Sequence, residues 1–279
     1  MAGFCDLHTH SLASDGSFSP GELIPLAEAA GLSAIALTDH NTVAGLPEFL
    51  AAAEGSSVRA VPGIEFSTDW EDVELHIVAL FVKPEHYGPI NALLKQARQW
   101  KLESNLALTE SLQKAGIPID YAKVQARTAG IPNRAHFARE LTEMGVTGSI
   151  KEAIHGLLSP KNGLYTPPKH PDALQTVGFI RELGAVSVLA HPFLNLKAPR
   201  LRQFLSEARD LDAMETLYAD FTPELIQSAR EIAKEFALKE SGGTDFHGTN
   251  KPHIRLGQIK VPASVLDELS ILSPFGIEN

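Results

Sequence analysis

Along the first 82 residues, short apolar runs of strand length alternate with segments whose apolar positions recur at helical spacing. Phe4-Cys5-Asp6-Leu7 predicts a short buried strand. Ser19-Pro20-Gly21-Glu22 reads as a capping box with Pro at the first helical position. The helix it opens carries Leu23, Leu26, Ala27 and Ala30 and stops at Gly31. Ala34-Ile35-Ala36-Leu37 predicts a second strand, ending in Thr38-Asp39-His40, and Thr42 is placed to cap a helix to about residue 54. Residues 58–64 predict a third strand ending in Glu65, and residues 74–82 a fourth that carries His76.

The rhythm then changes. Ile90, Leu93, Leu94, Ala97, Trp100 and Lys101 keep helical spacing, and Gly116-Ile117-Pro118 ends that helix. Asn133 is placed to cap a helix that Gly145 stops, Ser149-x-x-Glu152 is a further capping box, and residues 159–168 read as loop. From residue 171 strand and helix alternate again. A helix ends at Gly184, a strand at 185–190 precedes His191-Pro192, and a helix spans about 198–211. A strand follows at 213–217, then a helix opened by Thr222-Pro223. A Gly-rich strand at 238–244 delivers Asp245-Phe246-His247, and 257–261 predict a short last strand. The expected architecture is an α/β barrel made of residues 1–88 and 171–279, with a helical insertion at 89–170. An insertion between barrel strands lands near the mouth of the active site, where it can act as a lid.

Composition narrows the function classes. With 279 residues and 44% apolar content the chain can bury a full core. A net charge of −10 argues against duplex DNA or an anionic membrane surface as partner. Cys5 is the one cysteine, so an internal disulfide and a cysteine-based zinc knuckle are excluded. Neither a signal peptide nor an apolar run long enough to span a membrane is evident, which makes a reducing cytoplasm the expected location.

The candidate chemistry starts at Asp6-Leu7-His8-Thr9-His10. On a strand, His8 and His10 point to the same side and offer two nitrogens to one metal. Chance supplies roughly 0.4 His-x-His pairs at this His content, and roughly 0.02 once an Asp two residues earlier is required. Strand ends, or positions near them, carry further donors: Asp15 on the Ser14-Asp15-Gly16 turn, His40, Glu65, His76, His191, Asp245 and His247. In a parallel barrel the C-terminal strand ends converge on one face. Such a set of N and O donors, without thiolate, suits two or three first-row divalent ions, manganese first, iron or zinc next.

The segments Asp6-Leu7-His8-Thr9-His10-Ser11, Thr38-Asp39-His40, Pro62-Gly63-Ile64-Glu65, His76, Ala190-His191-Pro192 and Gly243-Thr244-Asp245-Phe246-His247 resemble the motifs of the PHP family (polymerase and histidinol phosphatase domains). The resemblance spans the chain and implies a distorted (β/α)7 barrel with a trinuclear metal cluster. It implies that His8, His10, Glu65 and Asp245 hold one metal, that Glu65 bridges to a second held with His76 and His191, and that Asp15, His40 and His247 hold a third. Within the family, the length and the place of the insertion are similar to the branch that hydrolyses nucleoside 3′,5′-bisphosphates and trims RNA from the 5′ end. The implied reaction is phosphate-ester hydrolysis by a metal-activated water, with a nucleoside bisphosphate or short RNA as the small phosphorylated partner.

Around the cluster, Asp39 and Thr38 are candidates to orient ligands from behind. For the second phosphate, Asn133 and Arg134 at a helix start are the first choice, and Lys161, Tyr165 and Arg200 follow. His136, His155, His170 and His253 read as structural or surface residues. Two other readings stay open here: a phosphatase on histidinol phosphate or another small metabolite, and a non-catalytic module that supports a partner protein.

Overall fold

Eight strands form one sheet in a computed structural model that describes residues 3–128 and 130–275. Residues 1–2, 129 and 276–279, which fall within the expected barrel and insertion ranges, lie outside the described residues. The strands are β1 (Phe4–Asp6), β2 (Ala34–Leu37), β3 (Arg59–Trp70), β4 (Val73–Leu80), β5 (Val186–Leu189), β6 (Ala213–Tyr218), β7 (Lys239–Gly243) and β8 (Val261–Pro262). Their order is β7-β6-β5-β4-β3-β2-β1-β8. The two ends of this sheet meet: the Leu7 N–H donates to Gly242 O at 3.2 Å, and the His10 N–H to Phe246 O at 2.9 Å. The sheet is therefore a nearly closed barrel. Gly243 permits the closure, because a Cβ there would sit 2.5 Å from the Cβ of His8.

Helices cover the outside. α1 (Leu23–Ala29) and α2 (Leu46–Ala52) follow the first two strands. α3 (Tyr87–Lys114), α4 (Tyr121–Gln125), α5 (Arg134–Glu143) and α6 (Ile150–His155) lie between β4 and β5. α7 (Ala173–Glu182), α8 (Ala198–Glu207), α9 (Pro223–Glu235) and α10 (Ala263–Ser270) complete the set. One apolar cluster joins outer strand residues such as Ile35, Ile64 and Ile77 to Phe49 of α2, Ile180 of α7, Phe204 of α8 and Ile232 of α9. A second, holding Cys5, Val61, Val78, Val188 and Leu266, packs the strands against α10. The two clusters bury both faces of the sheet, which is why its strands read as continuous apolar runs.

Most of the predicted elements are present, with instructive differences. α1 starts at Leu23, because the Glu22 and Leu23 N–H groups make tighter turn bonds to Ser19 O (3.1 Å) and Pro20 O (3.3 Å); half of the expected box survives, as the Ser19 N–H donates to Glu22 Oε2 at 2.7 Å, while the Gly21 N–H donates to Glu48 Oε1 at 3.0 Å. Thr42 accepts from the Ala44 N–H, and α2 begins later, at Leu46. The third strand does not end at Glu65. It pairs with β2 as far as Pro62, bridges His40 at Glu65, then runs on to Trp70 as one arm of a hairpin with β4. β4 is antiparallel to both neighbours, so the sheet is not wholly parallel. Glu65 and His76 therefore sit inside strands, and the reversed strand brings His76 opposite Ser67, where β3 has passed the end of β2. β8 shrinks to two residues and runs antiparallel to β1.

α3 is a strut about 42 Å long at 1.5 Å per residue. Its first half, with Ile90, Leu94 and Ala97, packs into the outer barrel cluster. Its second half, with Leu108 and Leu112, joins Val124, Phe137, Leu141, Ala153 and Leu158 in an apolar cluster of its own. Asn133, Ser149 and Asp172 cap α5, α6 and α7 with their side-chain oxygens.

Candidate metal centre

Each donor reaches the barrel mouth for a local reason. His8 and His10 leave β1 on one side, their Nε2 atoms 3.1 Å apart. Asp15 hangs from a loop that Asp39 ties down: its carboxylate accepts from the Ser11 N–H (2.7 Å), the Ser11 hydroxyl (2.6 Å) and the Ser14 hydroxyl (2.5 Å). Thr38 accepts from the Thr9 N–H and so joins β1 to the segment after β2. His191 and Asp245 follow β5 and β7 with positive φ, 27° and 54°. Non-glycine residues rarely adopt that region, and hydrogen bonds hold both here: His191 N–H to Glu215 Oε2 at 2.6 Å, Asp245 N–H to His8 O at 2.9 Å.

Glu65 is the hub. Its Oε2 lies 3.2 Å from His8 Nε2, 3.2 Å from His10 Nε2 and 3.0 Å from His40 Nδ1. Its Oε1 lies 2.9 Å from His76 Nδ1 and 3.1 Å from His191 Nε2. Asp245 Oδ1 is 3.1 Å from His10 Nε2, and Asp15 Oδ1 is 3.2 Å from His247 Nε2. The sequence-predicted donors thus form overlapping sets with ligand atoms mutually within 4.8 Å: His8, His10 and Asp245; His8, Glu65 and His191; His40, Glu65 and His76; and His10, Asp15, His40 and His247. His76 and His191 share Glu65 Oε1, and His191 also groups with His8.

The electrostatics describe what such a cluster needs. Burial opposes ionisation of Glu65, Asp15 and Asp245, yet the surrounding cationic groups outweigh it and hold all three carboxyls well below their usual range. Burial likewise opposes protonation of His8, His10 and His76, but the carboxylates win and raise His8 well above the ordinary imidazole value, His10 to about 9 and His76 to about 10. Burial prevails at His40 and lowers it to about 3. Positive charge is thus stabilised at the centre of a buried ring of N and O donors. His10 Nδ1, His40 Nδ1 and Glu65 Oε2 are buried without a well-aligned hydrogen bond, although the last two lie 3.0 Å apart. Buried nitrogen and oxygen donors crowded within 4.8 Å of one another in each group fit divalent cations, which would offset the carboxylate charge and displace the imidazole protons.

Several participants were not picked out from sequence. Glu215, on β6, accepts from His8 Nδ1 at 2.8 Å as well as from His191. Tyr218 donates to Asp245 Oδ2 at 2.9 Å, and Lys251 to the same oxygen at 2.5 Å. Glu215 had a legible signal: a carboxylate in the middle of the apolar strand Ala213-Met214-Glu215-Thr216-Leu217, where an unpaired charge is costly. The contact of Tyr218 joins β6 to the segment after β7 and had none; Lys251 stands only six residues after Asp245, in a stretch with no periodic pattern to direct its side chain.

A cavity of about 700 Å³ opens beside the cluster between the barrel mouth and the α3–α6 helices. His40 and His76 of the cluster line it together with the cationic residues Arg98, Lys101, Arg134 and Lys161. Arg134 lies over the Tyr165 ring at 5.7 Å, with both residues on the wall. Asn133 also lines it, but its amide is engaged: Oδ1 caps α5, and Nδ2 donates to Asp15 Oδ2 at 2.6 Å. It ties the helical segment to a donor of the cluster rather than reaching for a phosphate. Arg200 is not on the cavity wall. Its guanidinium bonds Glu71 and Asp72 at 2.6 Å and lies 5.1 Å over Trp70, because the β3–β4 turn presents those carboxylates to α8. His170 does line the cavity, bonded to Asp69 at 2.9 Å.

A barrel with this buried imidazole–carboxylate cluster at its mouth defines a class, the metal-dependent phosphoesterases. A solved structure of a metal-dependent phosphoesterase from Bifidobacterium adolescentis superposes with a TM-score of 0.88 at 26% identity, covering 98% of this chain and 97% of that one. The family model of the PHP domain matches residues 6–99. A 5′-3′ exoribonuclease of Haemophilus influenzae is 33% identical over 87% of this chain and 89% of its own length. A 3′,5′-nucleoside bisphosphate phosphatase of Chromobacterium violaceum is 34% identical over 67% of this chain and 66% of its own length. The chain belongs to the PHP family and is a metal-dependent hydrolase of phosphate esters. Among the described residues no helix is long and apolar enough to cross a membrane.

Proposed function

We propose that this phosphoesterase removes the 3′-phosphate of nucleoside 3′,5′-bisphosphates and trims short RNA from its 5′ end. The observation that carries the reading is the pairing of two features: a carboxylate amid five imidazoles, and beside it a cavity whose wall holds Arg98, Lys101, Arg134 and Lys161. His8, His10, Glu65 and Asp245 would hold one ion, Glu65, His76 and His191 a second, and Asp15, His40 and His247 a third, with manganese the first choice. Such ions supply Lewis acidity, offsetting phosphate charge and making water nucleophilic near neutral pH. The protein's part is positioning: the cluster holds the scissile ester at the barrel mouth, and the cationic wall draws in a second phosphate. The helices between β4 and β5, with their separate apolar cluster, act as the unit that carries this wall.

An amine-bearing substrate such as histidinol phosphate has less support. The cavity's acids are already matched, Asp72 by Arg200 and Glu74 by His76 at 3.2 Å. The names of the two curated relatives point to nucleotide substrates as well. The test is phosphate release with Mn²⁺ from adenosine 3′,5′-bisphosphate, adenosine 5′-monophosphate and histidinol phosphate side by side. Preference for the bisphosphate, leaving the 5′-monophosphate, is the expected result. Preference for histidinol phosphate would overturn the nucleotide reading and keep the phosphoesterase.

A further inference from the structure

We propose that Glu215 is a positioning residue that decides which nitrogen His8 presents to the metal cluster and pins the backbone of His191. The inference rests on the reading of His8 and His191 as metal ligands. Both oxygens of Glu215 are committed. Oε1 lies 2.8 Å from His8 Nδ1, and Oε2 accepts from the His191 N–H at 2.6 Å. Since a carboxylate only accepts, a neutral His8 ring carries its one proton on Nδ1, which leaves the Nε2 lone pair for a metal ion. That Nε2 points inward, 3.2 Å from Glu65 Oε2 and 3.1 Å from His10 Nε2. The second bond acts on a strained position: His191 has φ 27° and ψ 57°, and from that backbone its Nε2 comes within 3.1 Å of Glu65 Oε1.

One side chain on β6 therefore sets a ligand from β1 and a ligand after β5. Glu215 is 1% exposed, and an apolar residue would suit its strand better for stability alone. Its two partners belong to the sets that contain His8 and leave untouched the set of His10, Asp15, His40 and His247. The effect of losing it is therefore selective.

The experiment is a chelator-competition titration of the full chain with Mn²⁺, with metal stoichiometry measured in parallel, below the unfolding temperature of each variant. In Glu215→Gln one oxygen remains for two donors, and the amide favours the opposite His8 tautomer. The expected result is a 10–100-fold weaker affinity at part of the sites, the remainder binding as in the wild type. Asp212→Asn is the control. Asp212 Oδ2 accepts from the Ser187 N–H and hydroxyl between the same two strands, away from the cluster. It should lower stability without changing metal affinity. Wild-type affinity and stoichiometry in Glu215→Gln would overturn the proposal, as would an equal affinity loss in Asp212→Asn. A wild type that binds no metal would overturn the metal reading itself, a distinguishable failure. Should Glu215→Gln not fold, ¹⁵N NMR of the zinc-loaded wild type decides: His8 protonated at Nδ1 and coordinated through Nε2 is expected, and coordination through Nδ1 overturns the inference.

Discussion

At the scale of single residues, the centre is an exercise in charge placed where water is excluded. Glu65 touches five imidazoles, and His10 touches Glu65, Asp245 and its neighbour His8. His10→Ala removes a donor common to two of the sets while leaving the apolar clusters of the barrel intact. That variant should lose bound metal and activity but keep its circular dichroism spectrum; retained activity would remove His10 from the centre. Arg134 lies on the cavity wall over Tyr165, away from the cluster itself. Arg134→Ala should raise KM for a bisphosphate by about 10-fold, the worth of one charge-assisted hydrogen bond, and change it little for a monophosphate. Equal effects on the two substrates would take Arg134 out of the second-phosphate site.

At the scale of elements, α5 couples the helical segment to the centre. Its cap Asn133 donates to Asp15, and the Asn133 N–H donates back to His136 Nδ1 at 3.1 Å. His136 is buried in that capping box, and burial lowers its pKa to about 4, with Asp15 only partly opposing. A histidine whose folded pKa lies below its unfolded value of about 6.5 favours the folded state above that pH and withdraws its support as pH falls towards 4. At pH 5 the loss relative to pH 7 should be about 2 kcal/mol. His136→Gln should flatten that part of the stability–pH profile, measured by urea denaturation with chelator present so that metal release does not contribute. An unchanged slope would mean that folding does not shift the His136 pKa. The helix caps involved here were legible, because Asn133 and Ser149 stand in local patterns that declare a helix start. The reversal of β4 was not. An apolar run has no direction, and whether Glu74 to Phe81 runs with or against its neighbours depends on the two-residue turn at Glu71-Asp72 and on pairing with β5, more than a hundred residues away.

At the scale of the molecule, folding concentrates three buried carboxylates and six imidazoles in one place, an arrangement that cations stabilise. Bound metal should therefore contribute to stability by mass action. At a hundredfold excess over Kd one site adds about 2.7 kcal/mol, which for a chain of this size is roughly 5–10 °C in Tm. Removing metal with a chelator should lower Tm by that order, and adding Mn²⁺ back should restore it. A Tm indifferent to both would show that no ion is resident.

What the sequence by itself determined is the set of donors and the elements that carry them. Asp6-Leu7-His8-Thr9-His10, Thr38-Asp39-His40 and Asp245-Phe246-His247 are local, and strand periodicity alone sends His8 and His10 to one side. Tertiary structure alone decided the rest: that Glu65 sits inside a long strand and reaches five imidazoles, that Glu215 backs His8 and His191, that Arg98 and Lys101 face the cavity, and that Arg200 turns away to Glu71 and Asp72. The reason is physical. A ligand's identity is a property of one residue and its immediate neighbours, whereas a bridge, a buried hydrogen bond or a cavity wall exists only where barrel closure brings together segments tens to hundreds of residues apart.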